Sequence, residues 1–131
     1  MKVNSALFKT RGKNIPYNRG NSTPLLYFFG GIRMLESKFQ AGVIKEVKQR
    51  LPGCVVLKND ANYIQGIPDL TVFYNDKWAM LECKKSEHEE HQPNQDYYVE
   101  RANQMSFARF IFPENKKEVL DELCQTLQSG R

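Results

Sequence analysis

Three side chains within sixteen residues carry the chemistry of this chain: Asp69, Glu82 and Lys84. The segments 69–74 (DLTVFY) and 77–83 (KWAMLEC) are short and rich in β-branched and aromatic residues, and only the turn-prone pair Asn75-Asp76 separates them. That pattern predicts a β-hairpin. A two-residue loop pairs 74 with 77 and 73 with 78, and so on until 69 faces 82. Alternation along a strand then puts Asp69, Thr71 and Phe73 on one face with Trp78, Met80, Glu82 and Lys84. Directly opposed residues have Cβ atoms roughly 4.5–5.5 Å apart, and like charges at that spacing are destabilising. A divalent cation reverses the sign of that repulsion. Two hard oxygen ligands with retained waters suit Mg²⁺ or Mn²⁺, which also binds substrate phosphate oxygens. Lys84, two residues along the same face, would orient or help deprotonate an attacking water, or hold a scissile phosphate. The alternative is an exposed hairpin whose two carboxylates are simply solvated, and a loop longer or shorter by one residue would move Glu82 out of opposition.

The elements that must position these groups follow along the chain. Residues 34–51 show helical period, with Leu35, Phe39, Val43, Ile44 and Val47 three and four apart. Glu36 falls in the middle of that apolar stripe, where a carboxylate is costly to bury unless it is paired or bound to a metal. It is equally an acid in a first helical turn, where the helix dipole favours it. Glu46 lies off the stripe and is the weaker candidate. Pro52-Gly53 should end this helix. Residues 54–58 (CVVLK) read as a strand, and 59–65 as a polar loop leading to Gly66 and Asp69. Pro93 suits a helix first turn, and 94–106 continue with Tyr98, Val99, Ala102 and Met105 at helical spacing. Gln95 shares the side of Val99 and Ala102, facing the sheet, where its amide would bind a phosphate or the attacking water. Otherwise it satisfies backbone groups at the helix start. Residues 108–112 read as a strand. Asn115 and Glu118 resemble a capping box before an amphipathic closing helix with Val119, Leu120, Leu123, Cys124 and Leu127. His88 and His91 lie in a charged loop over 86–92 without further His or Cys partners, so solvation is expected there rather than zinc.

Gly66-Ile67-Pro68-Asp69-Leu70, a spacer and then Leu81-Glu82-Cys83-Lys84-Lys85 resemble the signature of the PD-(D/E)XK nucleases. With Gln95 downstream the likeness narrows to the VRR-NUC branch, small stand-alone members of which occur in phages. It spans roughly residues 34–115, with Glu36 and Gln95 in the right order around the core motif. The resemblance implies an α/β domain with a restriction-endonuclease-like αβββαβ core, a central mixed sheet flanked by helices, acting as a divalent-metal phosphodiesterase on DNA. It implies that Glu36, Asp69 and Glu82, with the Cys83 carbonyl, hold the metal, and that Lys84 and Gln95 assist the chemistry. A nicking endonuclease and a Holliday-junction or branched-DNA resolvase both fit, and a non-catalytic DNA-binding module is the rival from another class.

Size and charge are compatible with this. At 131 residues, with 40% apolar and 26% charged residues, the composition is that of one globular domain. Residues 34–131 are expected to form it. Residues 1–33 carry six basic residues and no acid, whereas the remainder holds 13 basic and 15 acidic residues. A basic arm on a near-neutral body is a footprint of phosphate-backbone binding. Lys9, Arg11, Lys13 and Arg19 of the arm, with Lys58 and Lys85, are therefore candidate DNA contacts, and the alternative is a tail that only aids solubility. Tyr17 would stack on a base or pack on its own domain. The apolar run Leu25 to Phe29, broken by Gly30-Gly31, reads as an extra core element or a dimer contact. Duplex cutting or junction resolution needs two sites, so a symmetric homodimer using this run or the arm is expected. Three scattered cysteines make neither a disulfide framework nor a zinc pattern. With no run long enough to cross a membrane and no basic-then-apolar signal at the start, a cytoplasmic protein is expected, in a bacterial host if phage-encoded.

Overall fold

The computed structural model describes residues 25–130, with side chains from residue 35 onward. The chain divides into two units, the first ending at Leu35 and the second beginning at Glu36. Of the first, only the helical backbone of 25–35 and the side chain of Leu35 are described.

In the second unit a period-two pattern builds the sheet. Four strands lie in the order β1 (Val55–Lys58), β2 (Leu70–Tyr74), β3 (Lys77–Cys83) and β4 (Phe107–Ile111). The first three are antiparallel neighbours, and β3 pairs parallel with β4, so the sheet is mixed and open. A parallel neighbour cannot be reached by a tight turn, and helix α2 (Gln95–Met105) supplies the connection from β3 to β4. The helix α1 (Leu25–Arg50) precedes the sheet and α3 (Lys116–Gln128) closes the chain.

Alternation decides which side chains meet which layer. Leu70, Val72, Ala79, Leu81, Phe107 and Ile111 point to one face, where Val43 and Val47 of α1, Leu51 just after it, and Val119, Leu120, Leu123 and Leu127 of α3 bury them. Trp78, Met80, Ala108 and Phe110 point to the other and meet Val99 and Ala102 of α2. A fully buried Leu or Val contributes about 1.5–3 kcal/mol relative to exposure, so the first face carries most of the stability and the second is thinner. The expected α/β class and mixed sheet are thus present.

The hairpin register is the one that the turn dictates. Tyr74 pairs with Lys77, Phe73 with Trp78 and Leu70 with Leu81. Asn75 takes a left-handed conformation (φ 56°), which asparagine tolerates better than most residues.

Three local expectations are corrected. Gly30-Gly31 does not break the chain, because α1 runs unbroken from Leu25 to Arg50; glycine costs only about 1 kcal/mol in a helix interior. The side chains of 25–29, and with them the expected core or dimer contact, lie outside the described residues. Pro93 precedes α2 rather than forming its first turn, since Asn94 caps the helix in a left-handed conformation (φ 71°). The Asn115–Glu118 capping box does not form. A 3-10 turn over Pro113–Asn115 brings the Asn115 side chain back, where Oδ1 accepts from Phe112 N at 2.8 Å and Nδ2 donates to Phe110 O at 3.1 Å.

Two glycines have left-handed φ angles of very different consequence. Gly53, which follows the end of α1, has φ +90° and open space where a Cβ would go. Gly66 has φ +92°, and a Cβ there would lie 2.5 Å from Asn94 Cβ and 2.9 Å from the Pro93 carbonyl oxygen. Gly53→Ala is expected to lose about 1–2 kcal/mol through backbone strain alone. Gly66→Ala should lose clearly more, because a buried overlap adds to the same strain. Urea denaturation of the two variants measures the difference, and equal losses would show that the loop before Asp69 does not depend on this close approach.

Candidate functional site

Asp69 stands one residue before β2, and Glu82 and Lys84 stand at the far end of β3. Regular pairing between β2 and β3 stops at Leu70–Leu81. The next rung is made by side chains. Glu82 Oε1 accepts from Asp69 N at 3.2 Å, and Asp69 Oδ2 accepts from Cys83 N at 2.9 Å. Each carboxylate thus replaces a carbonyl of the opposite strand, which fixes both acids side by side and gives each an N–H donor against their mutual repulsion. On the other side of Asp69, Asn59 N donates to Asp69 O at 2.8 Å. The Asn59 amide donates to Pro68 O and to Thr71 Oγ1, both at 2.8 Å. Asp69 is therefore held from both neighbouring strands.

Lys84 and Glu82 are each only 3% exposed. Burial of such groups is tolerated only with partners, and Gln95 supplies them. Its Nε2 donates to Glu82 Oε2 at 2.8 Å, while its Oε1 accepts from Lys84 Nζ at 2.6 Å and from Gln92 N at 2.7 Å. Lys84 Nζ also donates to Glu90 O at 3.3 Å and lies 4.0 Å from Glu82 Oε2. Gln95 thus faces the sheet as expected, and it bridges the acid and the lysine rather than satisfying only its own helix start. The Gly66 contact is what seats the head of α2 against the loop before Asp69.

Glu36 lies beside Glu89 of the charged 86–92 loop, a residue that no period along the chain singles out. The two carboxyls share a hydrogen bond, which together with burial raises Glu36 to about 7. Burial works to raise Glu89 as well, but the bond from Glu36 and the Lys85 backbone N–H outweigh it and hold Glu89 low. Glu89 Oε1 accepts from Lys85 N at 2.6 Å. Asn59 was also missed, although an Asn directly after a strand is a residue type that ties backbone together.

The remaining candidates fall elsewhere. Lys58 is exposed at the end of β1, and Lys85 is half-buried next to Lys84. Lys9, Arg11, Lys13, Tyr17 and Arg19 lie outside the described residues. Glu46 pairs with Arg50 at 2.8 Å and Lys116 at 3.0 Å, a structural tie. His91 is held by Asp96 at 2.7 Å and stacks on Phe110 with centroids 4.1 Å apart, while His88 is exposed beside Glu87. A concavity of about 530 Å³ lined by Asn75, Asp76, Lys77 and residues 127–130 lies at the turn end of the hairpin, away from Asp69.

Among the described residues no three His, Cys, Asp or Glu side chains form a ready metal cluster. The side chains brought together at the strand ends are two hard carboxylates, Asp69 and Glu82, a donor type that suits a cation keeping much of its water and not tetrahedral zinc. Asp69 Oδ1 accepts no hydrogen bond from the described residues. No helix among them is long and apolar enough to cross a membrane. Compared with family models, with characterised proteins and with solved structures, the chain has no match.

Burial, and then the charge of Asp69, push Glu82 up to about 8. Burial also raises Asp69, against the Cys83 N–H and Lys84. A carboxyl whose folded pKa lies above its unfolded value makes the folded protein bind more protons between the two. Stability contributed by protonated Glu82 is therefore full below about 4.5 and is lost as pH rises to about 8. In EDTA, wild type should lose on the order of 3 kcal/mol more than Glu82→Gln between pH 5 and pH 8.5. Urea denaturation at the two pH values measures it, and parallel behaviour of the two proteins would contradict a strained carboxyl.

Proposed function

We propose that this protein is a metal-dependent nuclease that hydrolyses phosphodiester bonds in DNA. The observation that carries the reading is the bonded unit of Asp69, Glu82, Lys84 and Gln95, with Glu82 and Lys84 buried, in which two acids are held together and a lysine lies 4.0 Å from one of them. An ordinary sheet has no use for this arrangement, because replacing such a group by apolar residues is often neutral or stabilising. The resemblance of Gly66-Ile67-Pro68-Asp69 and Glu82-Cys83-Lys84 to the PD-(D/E)XK signature supports the same reading.

Mg²⁺ or Mn²⁺ would be held by Asp69, Glu82 and the Cys83 carbonyl, with Glu36 directly or through water. Bound there, the cation supplies Lewis acidity to the phosphate and acidifies a water. The chain's own groups do the rest. Lys84 Nζ orients the attacking water and stabilises negative charge as the phosphorus–oxygen bond to the leaving sugar breaks. Gln95 keeps Lys84 and Glu82 at fixed separation, so that little reorganisation is left for the reaction itself. The basic residues of the first 33 positions, with Lys58 and Lys85, would neutralise backbone phosphates.

Purified protein should nick or cut supercoiled plasmid or a four-way junction with Mg²⁺ or Mn²⁺ and not with EDTA. Asp69→Asn and Lys84→Met, checked for folding by circular dichroism, should each lower the rate by about 100-fold or more. A favoured junction would make it a resolvase. DNA binding that survives EDTA, with no product under any metal, would instead identify a non-catalytic binding module. Cutting both strands at one place needs two such sites, so the proposal includes a symmetric dimer. Light scattering should report twice the chain mass with DNA bound, and a monomer throughout would remove that part.

A further inference from the structure

The sheet face that carries Asp69 has a second feature. Side chains on this face form rows across the strands: Val55, Phe73 and Trp78 in one, Leu57, Thr71 and Met80 in the next. The row after that holds Asn59, Asp69 and Glu82. Helix α2 packs on β3 and β4 and shelters Trp78 and Met80. Among the described residues, Val55 (52%), Leu57 (47%) and Phe73 (42%) are exposed in these rows on β1 and β2, while Thr71 is buried. Single exposed apolar side chains are ordinary, but three neighbours in register beside a candidate site mark a binding surface.

We propose that this open half-face is a stacking platform for unpaired nucleotides of the strand being cut. The inference rests on the nuclease reading above and adds a substrate class to it. None of Val55, Leu57 and Phe73 carries a charge, so the strip suits neither phosphates nor ions. It does suit the π-faces of bases. Base–aromatic stacking is tolerant of sequence, and only unpaired bases offer their faces, since a duplex presents phosphates and groove edges. Phe73 is four residues from Asp69 along β2, about 13 Å, with the buried Thr71 between them. A strand lying along β2 would thus place bases on Phe73, flanked by Val55 and Leu57, and a phosphate at Asp69 and Glu82. Such a substrate is single-stranded, or a duplex with an unpaired flank.

The test is fluorescence anisotropy with labelled oligothymidylate and with a labelled hairpin duplex, in EDTA so that no cutting intrudes. Wild type should bind the unpaired strand more tightly than the duplex. Phe73→Ala should weaken the unpaired strand about tenfold and the duplex less than about twofold. Phe73→Tyr, which keeps the ring, should bind as wild type. Phe73→Leu keeps apolar volume and tests the ring where the alanine variant folds poorly; it too should be weakened. Equal effects on both substrates, no effect, or a preference for duplex would overturn the platform. So would a change in mass by light scattering on Phe73→Ala without a change in binding, which would make the strip a self-association face. Stacking behaviour as expected, together with no cleavage under any metal, would sustain the platform and sink the nuclease reading.

Discussion

The reciprocal bonds between Asp69 and Glu82 are the constraint on which the site depends. At this rung each strand gives up a backbone acceptor and offers a carboxylate instead, so the acids cannot swing apart without leaving Asp69 N and Cys83 N unpaired. An orphaned buried N–H costs about 1–3 kcal/mol. Like charges are therefore kept adjacent by the same hydrogen-bond requirement that holds any sheet together. What remains is a carboxylate pair biased toward holding protons, with Lys84 as the nearest counter-charge.

The surroundings serve that pair. The thick core made by α1 and α3 presses Leu70, Leu81 and Ile111 into place and so sets the strand ends where the acids begin. Lys84 N donates to Ile111 O at 2.8 Å, which keeps the end of β3 in the sheet beyond the point where β2 has left it. Gly66 lets the loop before Asp69 approach Asn94, and that brings Gln95 within reach of both Glu82 and Lys84. Among the described residues the thinner side of the sheet is covered by α2 over β3 and β4, while Val55, Leu57 and Phe73 on β1 and β2 stay exposed.

Local sequence was a good guide where the structure is local. The two-residue Asn75-Asp76 loop and the alternation on either side imposed the register, because a slip of one residue would turn Leu70, Val72, Ala79 and Leu81 out of the core. The helical stripe of Phe39, Val43 and Val47 and the closing stripe from Val119 to Leu127 were legible for the same reason. Helix ends were read less well. Gly30-Gly31 and Pro93 are weaker punctuation than their residue types suggest, and the Asn115 side chain turns back to Phe112 and Phe110 instead of capping forward. Propensity at a terminus is worth about 1 kcal/mol, and one tertiary hydrogen bond can outweigh it.

By itself the sequence determined the α/β class, the hairpin register and the facing of Asp69, Glu82, Lys84 and Gln95, since each follows from periods of two and 3.6 residues along short segments. Tertiary structure alone decided that Glu82 and Lys84 are bridged through Gln95, that Glu36 meets Glu89, and that Asn59 fastens Asp69 from β1. It alone decided which half of the sheet face α2 leaves open. These contacts join residues from 9 to more than 50 positions apart through irregular loops. No repeat along the chain encodes such a meeting, which exists only once the packed layers have fixed where the loops go.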